Sequence, residues 1–155
     1  MKTIIAIGSI CFFILAGDAL TAPIAKHLID STPEEAVIVN LDEWFSTHPI
    51  KEGSFRTDKI FESPRNAMML TTTKDTKGLG RHIHTQSDEI IYVSKGAGEM
   101  FQNGKWISLK VGDLHICPRG VAHGLRATAG GEISIISIFT PPQPKGSNDR
   151  VMIDD

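Results

Sequence analysis

The sequence predicts an all-β fold, a closed or two-sheet barrel of jelly-roll type that follows an N-terminal signal peptide. From residue 36 onward, short runs rich in Ile, Val, Thr and aromatic residues alternate with Gly, Pro, Asn or Asp. Helical periodicity is almost absent, and many short strands with regular turn signals are typical of barrels. With 155 residues, of which 41% are hydrophobic, the chain fits one globular domain.

The N-terminal segment has the order of a secretory signal peptide. Lys2 precedes an apolar run over residues 4–16, and small residues such as Gly17 and Ala19 follow. The run is shorter than the ~20 apolar residues that a membrane-spanning helix needs, which disfavours an anchor. We therefore expect residues 1–19 to be cleaved after Ala19 and the mature protein to be periplasmic or secreted, with no membrane association after cleavage.

Cleavage would also decide the cysteine chemistry. It would remove Cys11 and leave Cys117 alone, so the mature chain could form no intrachain disulfide. Stability must then come from an apolar core, where Cys117 would be a small buried residue, or from a bound metal.

Three further segments follow the signal. Residues 20–35, which contain Pro23 and Pro33, are expected to be an N-terminal arm, residues 36–145 the barrel domain, and residues 146–155 an exposed C-terminal tail. Pro141 and Pro142 would end the last strand. Within the domain, LDEWFSTHP predicts one short helical turn with Leu41, Trp44 and Phe45 facing inward.

The predicted strands share a length of about four to eight residues and a high β-propensity. In chain order they are AVIVN, NAMMLTTT, RHIHT, EIIYVS, GEMFQ, KWISL, DLHIC, HGLRAT and EISIISIF. Asn103-Gly104 stands between GEMFQ and KWISL, and this dipeptide favours the positive φ angles of a type I′ hairpin turn. These two strands are therefore predicted to pair.

The stretch GRHIHTQSDEI holds the first half of a candidate metal site. His82 and His84 lie two residues apart on a strand, so their side chains share one face, here the barrel interior. Buried imidazoles need a partner for their nitrogens, and imidazole is the commonest metal ligand among side chains. Glu89 follows after a short turn and would bring a carboxylate among aliphatic residues, where its charge also needs a partner.

GDLHICPRGVAHG holds the second half. Pro118 and Gly120 predict a tight corner that returns His123 to the barrel as a fourth ligand. Three imidazoles and one carboxylate suit a divalent first-row transition metal better than Ca²⁺ or Mg²⁺. The residues do not separate Fe, Mn, Ni, Cu and Zn.

At this point the sequence resembles the cupin superfamily, over roughly residues 66–140. The first cupin motif is matched from its HxH pair onward by His82, His84, Glu89 and Gly96. The second is matched by Gly112, Pro118, Gly120 and His123. The 15 residues between Gly96 and Gly112 are similar to the short spacer of compact bacterial cupins. Thr76 stands where the first motif has a leading glycine, and Ala127 where the second has a closing Asn; neither change removes a ligand.

The resemblance implies a double-stranded β-helix, one transition metal held by His82, His84, Glu89 and His123, and frequent homodimers. The leading hypothesis is an exported dioxygenase for a small phenolic or enol compound that chelates through oxygen, with Glu89 also available as a base. A non-catalytic module that binds a metal or small ligand is the alternative from another class, and a metal-dependent lyase or isomerase is the third. The formal net charge of −2 gives no reason to expect nucleic acid as a partner.

Several other residues are weaker candidates. His115 is predicted to be a partly exposed strand residue, while Arg81 and Arg126 are either surface charges or anchors for a substrate carboxylate. Gln86 and Tyr92 are candidates for the pocket wall. The apolar residues expected to line the pocket are Met68, Leu70, Phe101, Leu125 and Ile138.

Overall fold

The computed structural model describes residues 38–144 and 149–153. The predicted signal peptide and the whole predicted N-terminal arm, residues 20–35, lie outside the described residues, so both stay predictions. In the part of the chain that is described, no helix has the length and apolar character to cross a bilayer.

One helix and nine strands form the described fold. The elements are α1 (Leu41–Thr47), β1 (Phe55–Glu62), β2 (Ala67–Thr73), β3 (His82–His84), β4 (Asp88–Gln102), β5 (Lys105–Lys110), β6 (Leu114–Cys117), β7 (Gly124–Ala127), β8 (Ile133–Thr140) and β9 (Arg150–Met152). This confirms the all-β fold and the short helical turn. Helix α1 begins after Asn40, whose side chain accepts a hydrogen bond from the backbone N–H of Glu43 at 3.0 Å.

Strand β4 connects the two halves of the barrel. It pairs with β8 and β6 over its first part and with β5 and β7 over its last part. The sequence predicts two separate strands here, EIIYVS and GEMFQ. Instead the strand continues through a register shift between Val93 and Lys95. Gly96 has φ +71°, and a Cβ there would lie 1.9 Å from the carbonyl oxygen of Glu132, so only glycine fits.

The remaining pairings close the barrel. The larger sheet runs β1-β2-β8-β4-β5, with β6 and β7 also paired to β4, and β3 pairs with β9 in a second sheet. Asn103 (φ 51°) and Gly104 (φ 79°) form the turn of the β4–β5 hairpin, which confirms the prediction from the sequence. Strand β1 was not predicted, because its sequence FRTDKIFE has many charged residues and lacks a regular alternation of apolar and polar residues.

The chain buries two apolar clusters on opposite faces of the same sheet. The barrel core contains Ile91, Val93, Met100, Leu109, Leu125, Ile133 and Ile135. The second cluster lies on the outer face against α1 and contains Phe45, Ile60 and Leu70, with Leu41, Trp44, Met68 and Ile136 packed against them. Strands β2 and β8 therefore have one face towards the barrel interior and the other against the outer cluster. Their inward residues can line a site.

The C-terminal segment forms a strand that the sequence did not predict, although residues 150–153 are exposed as expected. Residues 150–152 form β9, which pairs antiparallel with the histidine strand β3. The side chain of Asp149 is 2% exposed. Because the tail carries no long apolar run, its sequence gives no strand signal; the unpaired edge of β3 supplies its partner.

Candidate metal centre

The structure brings His82, His84, Glu89 and His123 together inside the barrel. All four side chains are buried, and one potential ligand atom from each lies within 4.8 Å of the others. They come from three separate parts of the chain, β3, β4 and the residue that precedes β7. These four residues are the ligand set that the sequence predicts.

Backbone pairing fixes where each side chain points. His82 and His123 form a two-residue bridge, in which each N–H donates to the other's carbonyl oxygen at 2.8 and 2.9 Å. The N–H of Gly120 donates to the carbonyl of His84 at 2.7 Å, which ties the Pro118–Gly120 corner to β3. Glu89 faces inward because strand alternation places it on the same side as the buried Ile91.

Each imidazole has its Nδ1 held by an acceptor outside the cluster. The Nδ1 of His82 lies 3.1 Å from the carbonyl oxygen of Gly80, and that of His123 lies 3.0 Å from the carbonyl oxygen of Val121. The Nδ1 of His84 lies 3.1 Å from a carboxylate oxygen of Asp149. A carbonyl or carboxylate can only accept, so Nδ1 donates in each case and Nε2 is the atom available to a metal.

The electrostatics of the cluster couple Glu89 to His123. An Oε2 of Glu89 lies 2.8 Å from Nε2 of His123 and 3.4 Å from Nε2 of His84. Burial raises the pKa of Glu89, but hydrogen bonds from His123 and His84 outweigh it and lower the pKa well below its usual range. Glu89 is therefore a carboxylate at neutral pH.

His82 and His123 do not share one protonation state. Burial, with the nearby charges of His123 and Arg150, lowers the pKa of His82 to about 3. Burial also favours neutral His123, but its contacts with Cys117 and Glu89 outweigh that effect and raise its pKa to about 10. Without a metal, His82 is neutral and His123 carries the proton that balances Glu89.

This donor set fits a divalent transition metal. The residues offer three imidazole Nε2 atoms and one carboxylate, and such nitrogen-rich sites suit Fe, Mn, Ni, Cu or Zn. Proteins fix metal-binding imidazoles by tying the second ring nitrogen to an outer acceptor, as all three histidines do here. The group could hold one metal ion, whose identity the donors do not decide.

A cavity of ≈ 90 Å³ opens beside the cluster. Its walls carry hydroxyl, apolar and charged side chains in addition to the cluster residues: Thr57, Met69, Thr71, Leu79, Ser137, Phe139, Gln143 and Arg150. A small ligand could reach Glu89, His82 and His84 from this side.

Comparisons with known proteins agree with this architecture. Residues 69–139 match the cupin domain family. An uncharacterized protein of Aquifex aeolicus is 33% identical over 94 residues, which cover 60% of this chain and 74% of that protein. The chain belongs to the cupin superfamily.

Solved structures show the same fold. A conserved Klebsiella pneumoniae protein with a double-stranded β-helix domain is 20% identical, with a TM-score of 0.63 over 78% of this chain and all (100%) of that chain. A cupin-2 domain protein of Shewanella frigidimarina is 25% identical, with a TM-score of 0.52 over 65% of this chain and 92% of that one. The resemblance and the double-stranded β-helix are confirmed.

The pocket walls of this cupin differ from those expected. Leu125 belongs to the barrel core, while Met68 and Leu70 belong to the outer cluster against α1. Of the five predicted residues, Met68, Leu70, Phe101, Leu125 and Ile138, none lines the cavity; on β2 and β8, Met69 and Phe139 line it instead. Both faces of β2 are apolar, so hydrophobicity alone did not reveal which face looks inward.

The weaker candidates mostly lie away from the cupin site. Arg126 pairs with Glu99 and lies over the ring of Trp106, and Arg81 lies over Phe101. Tyr92 is 42% exposed on the outer face. His115 is half-buried, as predicted, with its ring 6.4 Å from that of His123.

Cys117 is buried, as predicted, and it also contacts the site. Its Sγ lies 2.9 Å from Nδ1 of His123 and 3.4 Å from the carbonyl oxygen of Val121. The thiol therefore helps to fix the ring of His123.

Two site residues of the cupin were missed because they lie in the predicted tail. Asp149 holds His84, and Arg150 lines the cavity. They could have been found only if residues 150–152 had been recognised as a strand that pairs with β3. Neither the composition nor the periodicity of residues 146–155 indicates such a strand.

Proposed function

We propose that this cupin is a metal-dependent enzyme of dioxygenase type that acts on a small compound chelating through oxygen atoms. The observation that carries the proposal is the convergence of three outward-tethered imidazoles and an ionised carboxylate beside a cavity. A redox-active metal, when bound, would polarise the chelating oxygens of the substrate and provide the chemistry for O₂. Four protein ligands leave one or two coordination positions for other groups.

Glu89 is the proposed catalytic residue as well as a ligand. Its carboxylate lies at the cavity wall, where the enol or phenol hydroxyl of a bound substrate can approach it and transfer a proton to it. Ser137, Thr57 and Thr71 provide hydroxyl groups nearby that can orient such a substrate. Apolar Met69 and Phe139 help to exclude water from the same cavity.

Elemental analysis tests the first half of the proposal. Mature protein is purified without chelator or metal-affinity tag, beside the His82→Ala/His84→Ala double variant. Near-stoichiometric Fe, Mn, Ni or Cu that is absent from the variant supports the proposal and leads to O₂-consumption assays with enol and phenol compounds. A Glu89→Ala variant that consumes O₂ with such a compound as fast as the wild type would contradict the role of Glu89.

Other metal contents favour the two rival functions. Zinc with turnover but no O₂ consumption would favour a lyase or isomerase. Absence of metal from both proteins would favour a binding module.

We further propose that the protein is exported and dimeric. Export is supported by Lys2, the apolar run and the small residues that end it, which lie outside the described residues. Mass spectrometry of the N-terminus from a periplasmic extract tests it, and a mature chain starting at Met1 would refute it. Dimerisation is supported by an exposed apolar patch on the outer sheet face, formed by Ile90, Tyr92, Leu114 and Ile116.

A further inference from the structure

Arg150 places a positive charge at the wall of the metal-site cavity. It lies opposite His84 in the β3–β9 ladder, and its side chain lines the cavity with Glu89 and Gln143. One guanidinium nitrogen donates to the carbonyl oxygen of Leu79, which holds the side chain across this end of the site. The side chain of Arg150 is therefore held by a neutral carbonyl group, which does not neutralise its positive charge.

Arg150 forms no ion pair with a described residue, although the charge of Glu89 in the same cavity attracts it. Among residues 38–144 and 149–153, no carboxylate lies within 4.0 Å of its guanidinium, whereas Arg56, Arg119 and Arg126 each pair with one. Glu89 is the only carboxylate among the cavity residues of that same part of the chain, and it contacts His123 and His84. With respect to the described part of the chain, the guanidinium therefore keeps N–H donors that a ligand in the cavity can use.

Guanidinium groups bind planar anions. Arginine stays protonated at any physiological pH and presents several N–H donors in a fork that matches a carboxylate. The cavity, at ≈ 90 Å³, is smaller than the ~150 Å³ cavity that holds benzene, which favours an acyclic ligand over a ring. Its hydroxyl-bearing walls suit a polar one.

We infer that Arg150 selects small carboxylic acids as ligands of this cavity. Examples are 2-hydroxy acids and the enol form of 2-oxo acids. The carboxylate lies on Arg150 and the neighbouring oxygen faces the His82, His84 and Glu89 side. This inference rests on the proposed function and narrows its substrate class from phenols and enols to acyclic acids.

Calorimetric titration with lactate and lactamide tests the inference. The two probes have the same shape and differ in charge, so the ratio of their affinities measures anion recognition. Both are titrated into the Ni²⁺-loaded and the metal-free protein, for wild type, Arg150→Gln, Arg150→Lys and the control Arg56→Gln. Arg56 is exposed, as Arg150 is, but it lies on β1 and pairs with Asp58.

We expect wild type and Arg56→Gln to bind lactate at least about 10-fold more tightly than lactamide. Arg150→Gln should weaken lactate binding about 30-fold and abolish the preference, and Arg150→Lys should fall between them. Circular dichroism spectra that match those of wild type show that the variants fold.

Equal lactate affinity for wild type and Arg150→Gln would overturn the inference, as would a wild type that binds neither probe. Failure to take up metal would count against the proposed function instead. In that case the metal-free titration still decides the role of Arg150, because its tether and its charge do not depend on a metal.

Discussion

Replacing Asp149 by alanine should weaken both the fold around β3 and the retention of a metal. Its buried carboxylate accepts hydrogen bonds from the backbone N–H of Gln86 at 2.6 Å and from Nδ1 of His84 at 3.1 Å. Burial raises the pKa of Asp149, but these two hydrogen bonds outweigh it and lower the pKa. The ionised carboxylate therefore fixes both the turn after β3 and the ring of His84.

The magnitude follows from these contacts. Hydrogen bonds to a charged group contribute about 1.5–3 kcal/mol each, so loss of both should lower the free energy of unfolding by about 3–6 kcal/mol. Removal of an outer hydrogen-bond partner of a metal-binding histidine lowers metal affinity about 10- to 100-fold. Asp149→Asn keeps an acceptor without the charge, so it should lie between wild type and Asp149→Ala on both scales.

Urea denaturation and competition with a chromophoric chelator measure the two effects. Asp113→Ala is the matched control, because its carboxylate accepts one backbone hydrogen bond, from Lys110, in an exposed turn. Because solvent screens this exposed carboxylate, the substitution should cost only about 0.5–1.5 kcal/mol, and it should leave metal affinity unchanged. The reasoning is refuted if Asp149→Ala binds metal as tightly as Asp113→Ala does.

Three further predictions concern protons, assembly and the core. Since metal-free His123 has a pKa raised to about 10, it is protonated at pH 7, and metal binding should release about one proton and weaken as the pH falls. Calorimetry in buffers of different ionisation enthalpy measures this release, and a binding enthalpy independent of buffer would contradict it. The Leu114→Lys/Ile116→Lys double variant should convert the proposed dimer to a monomer in light scattering, whereas Val111→Lys, a substitution of another exposed residue, should not. A dimer that survives both substitutions would show that its interface lies elsewhere. Leu125→Ala should lower the free energy of unfolding by about 2–5 kcal/mol, because Leu125 is buried in the core. The control Leu114→Ala, at an exposed residue, should lower it by less than about 0.5 kcal/mol. Similar denaturation midpoints for the two variants would count against the assigned core.

Features with a local signal were predicted from the sequence. The Asn103-Gly104 turn depends on two residues that tolerate positive φ, and the pairing of β4 with β5 follows from it. The shared face of His82 and His84 depends only on strand alternation. His123 was placed by the tight corner that Pro118 and Gly120 predict and by its match to the second cupin motif, although residues 118–123 do not show that the chain returns to β3.

For a strand that is buried on both faces, the sequence does not show which face points into the barrel. Alternation identifies an inward face only where the other face is polar, and the second face of β2 packs against α1. The sequence AMMLTTT has apolar and threonine residues in both registers. The choice of Met69 over Met68 at the cavity is therefore made by the position of α1, an element 20 or more residues earlier in the chain.

The outer tethers of the histidines show where sequence reasoning ends. Gly80 and Val121 act through their carbonyl oxygens, which every residue possesses, so no side-chain pattern could identify them. Asp149 acts through its side chain, but it reaches His84 only because β9 pairs with β3 across 65 residues. The ligands of such a site depend on residue type and can be predicted from sequence, whereas the groups that aim them depend on backbone position and emerge only with the fold.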